Sequence, residues 1–542
     1  MDAERFDAIV IGSGMGGLTA ASLLARLRGQ RVLVLERHWR LGGFTHAFRR
    51  GDFSWDVGLH YVGQMAAGAP PRGLMDLVTG GAVRWNAMPE RFEAYDYPGF
   101  SFLQRAGAER FRDDLARLFP AELPAIDRYL ADVRRAAGWL ALRATGGALA
   151  GAAGSLARLA ARARSGLPLE TTGAYLARSF RAPELRALLA SQWGDYGLPP
   201  ARSAFAIHAT IVAHYLAGGF YPEGGAGAIA EGAAAVVRGA GGDLLVDHEV
   251  REILVERGRA VGVRAVQRRA APGGGEERVF RAPVVVSDAG AAATLLRLVP
   301  GGVPGAARIR ADVERLGAPY SYVTLYLGLA DGAQALGFEG ENRWLYAGLD
   351  HDALAARSDE LIEGRAHLAY LSFPSLKDPA ARGATAELIA PVSREAFARF
   401  DGTPWRRRGA AYDAVKARTG GGLLDLVEAR HPGFRRLVAY EELSTPLTTE
   451  FMTGHAGGAA YGLPAVPERY RLPWLGARTP VPGLYLAGSD AASHGIMGAL
   501  FGGVMSVAAI LGMRSFPEVF KAAKLASRGG AVGAAPGRRR AA

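Results

Sequence analysis

Residues 6–17, FDAIVIGSGMGG, decide the fold: a short β-branched run enters Gly12-Ser13-Gly14-Met15-Gly16-Gly17 and continues into a helical pattern over residues 18–28 that Gly29 terminates. Each glycine has a separate task. Gly12 permits the tight turn, Gly14 lets a pyrophosphate approach the backbone, and Gly17 lets helix and strand pack closely, while the helix N-terminus offers free N–H groups to the anion. A second apolar run, residues 31–35, delivers Glu36 about 20 residues beyond the turn, where a carboxylate suits ribose hydroxyls and repels a 2′-phosphate. Strand, turn, helix, strand and acid in register predict a Rossmann-type unit that binds an unphosphorylated adenosine dinucleotide, FAD or NAD.

The composition narrows the chemistry. The chain has 542 residues, enough for several domains, and no cysteine, which excludes disulfides, thiolate nucleophiles, Cys-ligated zinc and iron–sulfur centres. The opening MDAER is charged and runs straight into the first strand, so no secretory signal is expected. The formal charge is +12, with much of the excess beyond residue 513 and ending in Arg538-Arg539-Arg540. No nucleic-acid motif accompanies it, so an anionic membrane surface is the expected partner of this charge, with plain solubilisation as the even alternative. The expected location is cytoplasmic, with peripheral attachment to the inner face of a membrane. Residues 529–542, rich in Gly and Ala, read as disordered.

Further along, Arg40-Leu41-Gly42-Gly43-Phe44-Thr45-His46 holds a glycine pair able to bring backbone close to a cofactor. Together with residues 12–36 it resembles FAD-dependent oxidoreductases of the amine-oxidase and phytoene-desaturase type. Asp56-Val57-Gly58-Leu59-His60-Tyr61-Val62-Gly63-Gln64-Met65 and Trp193-Gly194-Asp195-Tyr196-Gly197-Leu198-Pro199-Pro200 are similar to stretches of retinol saturases and carotenoid isomerases. The resemblance implies an α/β fold, a Rossmann-type FAD-binding domain with an interleaved α+β substrate domain. It also implies FAD as cofactor and a long apolar polyene of retinoid or carotenoid kind as substrate. Phe44-Thr45 stands where the wider family often has an arginine, so that residue's role does not transfer. By resemblance, residues 56–65 approach the isoalloxazine ring, Tyr221-Pro222-Glu223-Gly224-Gly225 marks re-entry into the FAD domain, and Val250 meets the adenine. Pro482-Gly483-Leu484-Tyr485-Leu486-Ala487-Gly488-Ser489-Asp490 followed by His494-Gly495-Ile496-Met497 resembles the C-terminal FAD motif. The cofactor set is therefore Gly12, Gly14, Gly17, Glu36, Arg37, Gly42, Gly43, Val250, Gly488, Asp490, Gly495 and Met497.

The division expected is FAD-binding at 1–75, 215–300 and 471–513, substrate domain at 76–214 as a helical lid and at 301–470 as a sheet, and a basic amphipathic tail at 514–542. Residues 146–156 read as a packed or loosely lidding helix, with a membrane-facing element as the alternative, and are too short to span a bilayer. Residues 495–513 carry no charge but five glycines, which suits close packing better than lipid. Period-two alternation puts Tyr320, Tyr322 and Tyr326 on one strand face, a roof for an apolar substrate. His208 and His214 lack the spacing and carboxylate partner of a metal site, and none is expected. Residues 515–526 read equally as a membrane-lying amphipathic helix or as one docked on its own domain.

Saturating a conjugated C=C bond needs a hydride on one carbon and a proton on the other. His60, Tyr61 and His494 are the polar residues expected near the ring, as proton donors or as groups that orient the flavin. Reduction is the first reading, desaturation or cis–trans isomerisation the alternative, and a non-catalytic flavin- or lipid-binding protein the reading from another class. No second dinucleotide fold is recognisable, so the electron donor or acceptor is left open.

Overall fold

A five-stranded parallel sheet forms the first layer, and the computed structural model describes residues 4–268, 275–512 and 514–528. Its order is Asp243–Leu245, Val32–Leu35, Ala8–Ile11, Val285–Ser287 and Leu484–Leu486, each parallel to its neighbour. The central strands are buried along their whole length, which is why they read as unbroken apolar runs instead of alternating ones. Helix Met15–Arg28, capped at Gly14, begins three residues before the expected start and ends at Gly29 in the left-handed conformation. Three distant stretches of chain thus supply one sheet.

A four-stranded sheet extends this half. His248–Glu256 turns back on Arg259–Gln267 through Arg257 and Gly258, both at positive φ, as a two-residue hairpin requires. Helix Gly495–Leu511 lies across the nucleotide helix, and its glycines permit the approach: a Cβ on Gly503 would sit 2.5 Å from Gly16 O. Among the described residues no helix is long and apolar enough to cross a membrane.

The roof is a seven-stranded mixed sheet in the order Val438–Ser444, Ser321–Leu329, Ala384–Val392, Leu368–Ser372, Asn342–Tyr346, Arg91–Tyr97, Phe100–Arg105. Strands from both substrate segments join it through the parallel pair Asn342–Tyr346 and Arg91–Tyr97. Helices between residues 108 and 215, the longest being Leu123–Ala148, complete this half. The stretch 146–156 is not one helix. Leu123–Ala148 ends within it and Gly151–Ala163 begins, with Gly154 so close to Leu149 O that a Cβ would lie 2.1 Å away. The boundary drawn at residue 75 falls inside helix Pro70–Thr79. Helix Ser515–Ala526 packs on that same helix, burying Val519, Ala522 and Ala523, and Glu518 pairs with Arg28 at 2.6 Å. The docked alternative therefore holds for its buried side. Residues 529–542 lie outside the described residues.

Candidate active site

Three glycine segments converge above the parallel sheet. A Cβ on Gly14 would lie 2.5 Å from Asp288 Oδ2, one on Gly16 2.2 Å from Gly488 N, one on Gly17 2.3 Å from Gly12 O, and one on Gly43 3.1 Å from Gly14 Cα. Gly12 (φ 90°), Gly42 (114°) and Gly488 (73°) also occupy backbone conformations that side chains disfavour. Glu36, at the end of its strand, is buried. Its Oε2 accepts from Ser13 N at 2.9 Å and Ser13 Oγ at 2.7 Å, and its Oε1 from His38 N at 2.7 Å. A carboxylate has about four acceptor sites, so capacity is left for a ribose hydroxyl. Arg37, beside it, pairs with Glu249 at 3.6 Å but keeps a buried Nε without a partner among the described residues.

Gly12, Gly14, Glu36, Arg37, Gly42, Gly43, Val250, Gly488, Asp490 and Gly495 all line one cavity. Gly17 lies directly beneath it, against Gly12 O. Met497 is elsewhere, in the wall of an adjoining cavity. The Asp490 carboxylate spends its oxygens on the protein: Oδ1 accepts from Leu463 N (3.0 Å) and Arg469 Nη1 (3.1 Å), Oδ2 from Ala291 N (2.8 Å). Despite burial, Arg469 and these N–H donors hold Asp490 below the usual carboxylate range. A dinucleotide fits this cradle, because the glycines keep clear the space Cβ atoms would fill, the helix start at Gly14 supplies N–H donors, and Glu36 and Arg37 retain free capacity at the ribose end.

Asp288 belongs to the cradle too, although it is not among the cofactor residues expected from the sequence. It sits under Gly12, Gly14 and Gly488 and accepts from the Gly17 backbone, with its carboxyl pushed up to about 7 by burial. The one available signal is an acid directly after an apolar strand, a position shared by Glu36.

The adjoining cavity meets the first at Gly58, His60, Asp195, Tyr461, Gly495 and Ile496. Gly495 has open space on its Cβ side at φ 77° and begins helix Gly495–Leu511, so backbone donors face the junction. The roof closes it from above. Tyr322, Thr324 and Tyr326 line the first cavity as alternation requires, with Ile389, Tyr370 and Trp344 from neighbouring strands. Tyr320 falls just before the strand and edges on Trp193 instead. The second cavity runs outward past Leu140, Ala144 and Phe501 to Phe516 and Phe520.

Around the junction the structure brings together all three polar residues singled out above. His60 Nδ1 lies 2.7 Å from Glu387 Oε2, and Lys377 Nζ donates to the His60 carbonyl at 2.8 Å. Tyr61 stacks on Tyr215 at 4.0 Å and donates to Asp195 Oδ2 at 2.9 Å. Burial raises the Tyr61 phenol well above its usual range and pushes Asp195 up to about 7. His494 sits between two carbonyls, Leu463 O at 2.9 Å from Nε2 and Tyr196 O at 3.3 Å from Nδ1. Burial, then the nearby Arg469, pushes it down to about 3, so it is neutral at physiological pH. Glu387 was not foreseen, although its strand parity with Ile389 and Pro391 points it at the cavity. His208 bonds Tyr129 Oη at 2.8 Å and His214 accepts from Gly63 N at 2.8 Å.

Comparison with known proteins agrees with this geometry. Residues 10–71 match the family model of the NAD(P)-binding Rossmann-like domain. The chain is 30% identical to all-trans-retinol 13,14-reductase of Danio rerio, over 97% of this chain and 89% of that protein. It is 25% identical to the chloroplastic prolycopene isomerase 1 of an Oncidium hybrid cultivar, over 97% and 87%. The fold is shared with a crystal structure of an oxidoreductase from Methanosarcina mazei, TM-score 0.61 at 17% identity, covering 92% of this chain and 99% of the other.

Proposed function

The chain belongs to the all-trans-retinol 13,14-reductase family, and from that premise we propose that it reduces a conjugated C=C bond of a long apolar polyene, of retinoid or carotenoid kind. It is an oxidoreductase acting on C=C bonds, and its cofactor is FAD. One observation carries the substrate reading: the glycine cradle and an aromatic, largely apolar room open into each other at His60, Asp195, Tyr461 and Gly495. A dinucleotide in the first space places its far end at that junction, where the second space can hold a polyene.

Reduced FAD, when bound, supplies a hydride to one carbon of the double bond. The chain's own residues do the rest. Gly14, Gly43 and Gly488 admit the cofactor's backbone, Glu36 and Val250 take its ribose and adenine, and Asp490 acts through the Arg469, Leu463 and Ala291 segments it ties together. Trp344, Tyr370, Tyr322 and Ile389 exclude water from the reacting bond. His60 and Tyr61 stand where the second hydrogen is needed, while His494, neutral and so able to donate to one of the two carbonyls that flank it, orients the helix start at Gly495.

The polyene enters along the wall formed by Phe516 and Phe520, and Lys521 and Lys524 on the same helix suit an anionic bilayer beside it. A second reading, cis–trans isomerisation, draws on the prolycopene isomerase likeness and on the same room, and desaturation uses it too.

One experiment separates these readings. Purified protein carrying FAD is bleached anaerobically with dithionite and mixed with retinol and a carotenoid panel, with and without anionic liposomes. Recovery of the flavin spectrum with a product heavier by two hydrogens is expected, and sedimentation with the liposomes checks the membrane. Reduction of the oxidised enzyme by polyene, with loss of two hydrogens, would establish desaturation. An altered cis/trans ratio at constant mass would establish isomerisation.

A further inference from the structure

Of His60, Tyr61 and His494, the three polar residues singled out above, only His60 keeps a hydrogen-bonding atom that no other group faces. Tyr61 directs its single hydroxyl hydrogen to Asp195. His494 has a carbonyl oxygen against each ring nitrogen. His60 spends Nδ1 on Glu387, and nothing among the described residues bonds its Nε2, although the residue faces both cavities.

His60 is the one hydrogen-bonding partner of the Glu387 side chain among the described residues. That side chain is completely buried, Oε2 faces His60 Nδ1, and Oε1 has no partner among the described residues. Burying a carboxylate is costly unless charge or hydrogen bonds compensate. The compensation comes from His60 and from the buried Lys377, whose ammonium also holds Asn342 Oδ1 at 2.6 Å, Ser372 Oγ at 2.7 Å and the His60 carbonyl. The residue is thus held twice, by Lys377 through its backbone and by Glu387 through its ring, with the Tyr370 ring in an edge contact at 5.5 Å.

Resting on the reductase reading, we propose that Glu387 is the positioning residue of proton transfer: it holds the hydrogen on His60 Nδ1 and stabilises the imidazolium whose Nε2–H protonates the polyene. The carboxylate can only accept, so Nδ1 must donate and Nε2 is presented to the junction. The π bond breaks, one carbon gains a hydride from two-electron-reduced FAD, and its neighbour gains the proton from Nε2. The N–H electron pair stays on the imidazole, which regains a proton from solvent between turnovers.

The test uses the full chain with FAD bound. In the oxidised wild type, nitrogen-15 NMR of the histidine rings is expected to show His60 carrying its hydrogen on Nδ1; a His60 ring without it overturns the proposal with no variant needed. In Glu387→Gln, FAD occupancy and KM for retinol are expected to stay within about 2-fold, while single-turnover reoxidation of the reduced flavin slows about 100-fold, with partial rescue in Glu387→Asp. Reoxidation within about 3-fold of wild type, with the His60 tautomer unchanged, makes Glu387 a packing residue only. If Glu387→Gln cannot hold FAD, the wild-type tautomer decides the matter. A wild-type enzyme that polyenes do not reoxidise sinks the reductase reading instead, whatever the tautomer.

Discussion

At Gly16 and Gly502 a methyl group would lie 2.2 Å from Gly488 N and 2.1 Å from Gly488 O, whereas on the roof sheet Tyr322, Thr324, Tyr326 and Ile389 present side chains of quite different size to the same cavity. The cradle is shaped by backbone, and its tolerance is set by atoms that cannot move without moving a strand or a helix. The roof is shaped by side chains on a sheet whose register is held by main-chain bonds and by a separate core around Leu325, Leu371 and Leu388. Changes to the cradle should therefore remove the cofactor, and changes to the roof should alter what is turned over while the cofactor stays.

The largest effect is expected from Gly16→Val. Its Cβ would collide with Gly488 N and Cα and with Asp288 Oδ1, and the β-branched side chain cannot rotate away within the first turn of the helix. A loss of more than about 4 kcal/mol in stability is expected, with no flavin absorbance in the purified protein. A yellow, stable Gly16→Val protein would end the claim that backbone contact defines this half.

Next comes Asp288, a carboxyl group packed against Gly12, Gly14, Gly16 and Gly488. Its folded pKa, about 7, lies above the unfolded value near 4, so the stability it contributes is fully present below about pH 4 and is lost as the pH rises through about 7. Removing the titrating group in Asp288→Asn should flatten that part of the profile. Measured by urea midpoint on cofactor-free protein, the variant gains on wild type between pH 5 and pH 8. Asp56 and Asp195, also pushed up to about 7, keep their own slope in both proteins, so the difference isolates Asp288. Parallel profiles would mean that Asp288 is not held protonated against the loop.

The contrast between the halves also explains what could be read in advance. Gly12, Gly14 and Gly17 were legible because no other residue satisfies their conformation or spacing, and Glu36 because its offset from them is set by one helix and one strand. The roof offered only alternation: the face of Tyr322 and Tyr326 followed from it, but the order of the seven strands did not, since Asn342–Tyr346 pairs with Arg91–Tyr97 about 250 residues away. Glu387 and His60 are 327 residues apart, and a buried carboxylate has no local signature because its reason for burial is its distant partner. Met497 shows the limit of a motif read residue by residue. The motif resemblance set it beside Gly495, yet two residues turn a helix by about 200°, and Met497 lines the adjoining cavity.

The smallest effect on the fold is expected from Ile389→Trp. Ile389 is half-buried, pairs in register with Thr324 and Tyr370, and points into open space where the roof lines the cavity. An indole there adds volume to a void and leaves the main-chain ladder untouched, so stability should change by about 1 kcal/mol or less and flavin occupancy should not change. The room beside Tyr370 and Trp344 becomes shorter or narrower. Reoxidation by long carotenoids should then weaken more than reoxidation by retinol, seen as a larger rise in KM for the longer acceptor, because the longer chain needs more of that room. Equal losses for short and long polyenes would place the chain of the substrate elsewhere, along the Phe516 and Phe520 wall alone. Loss of flavin would instead show that roof and cradle are coupled through side chains, and that the two halves are not separable in the way their construction implies.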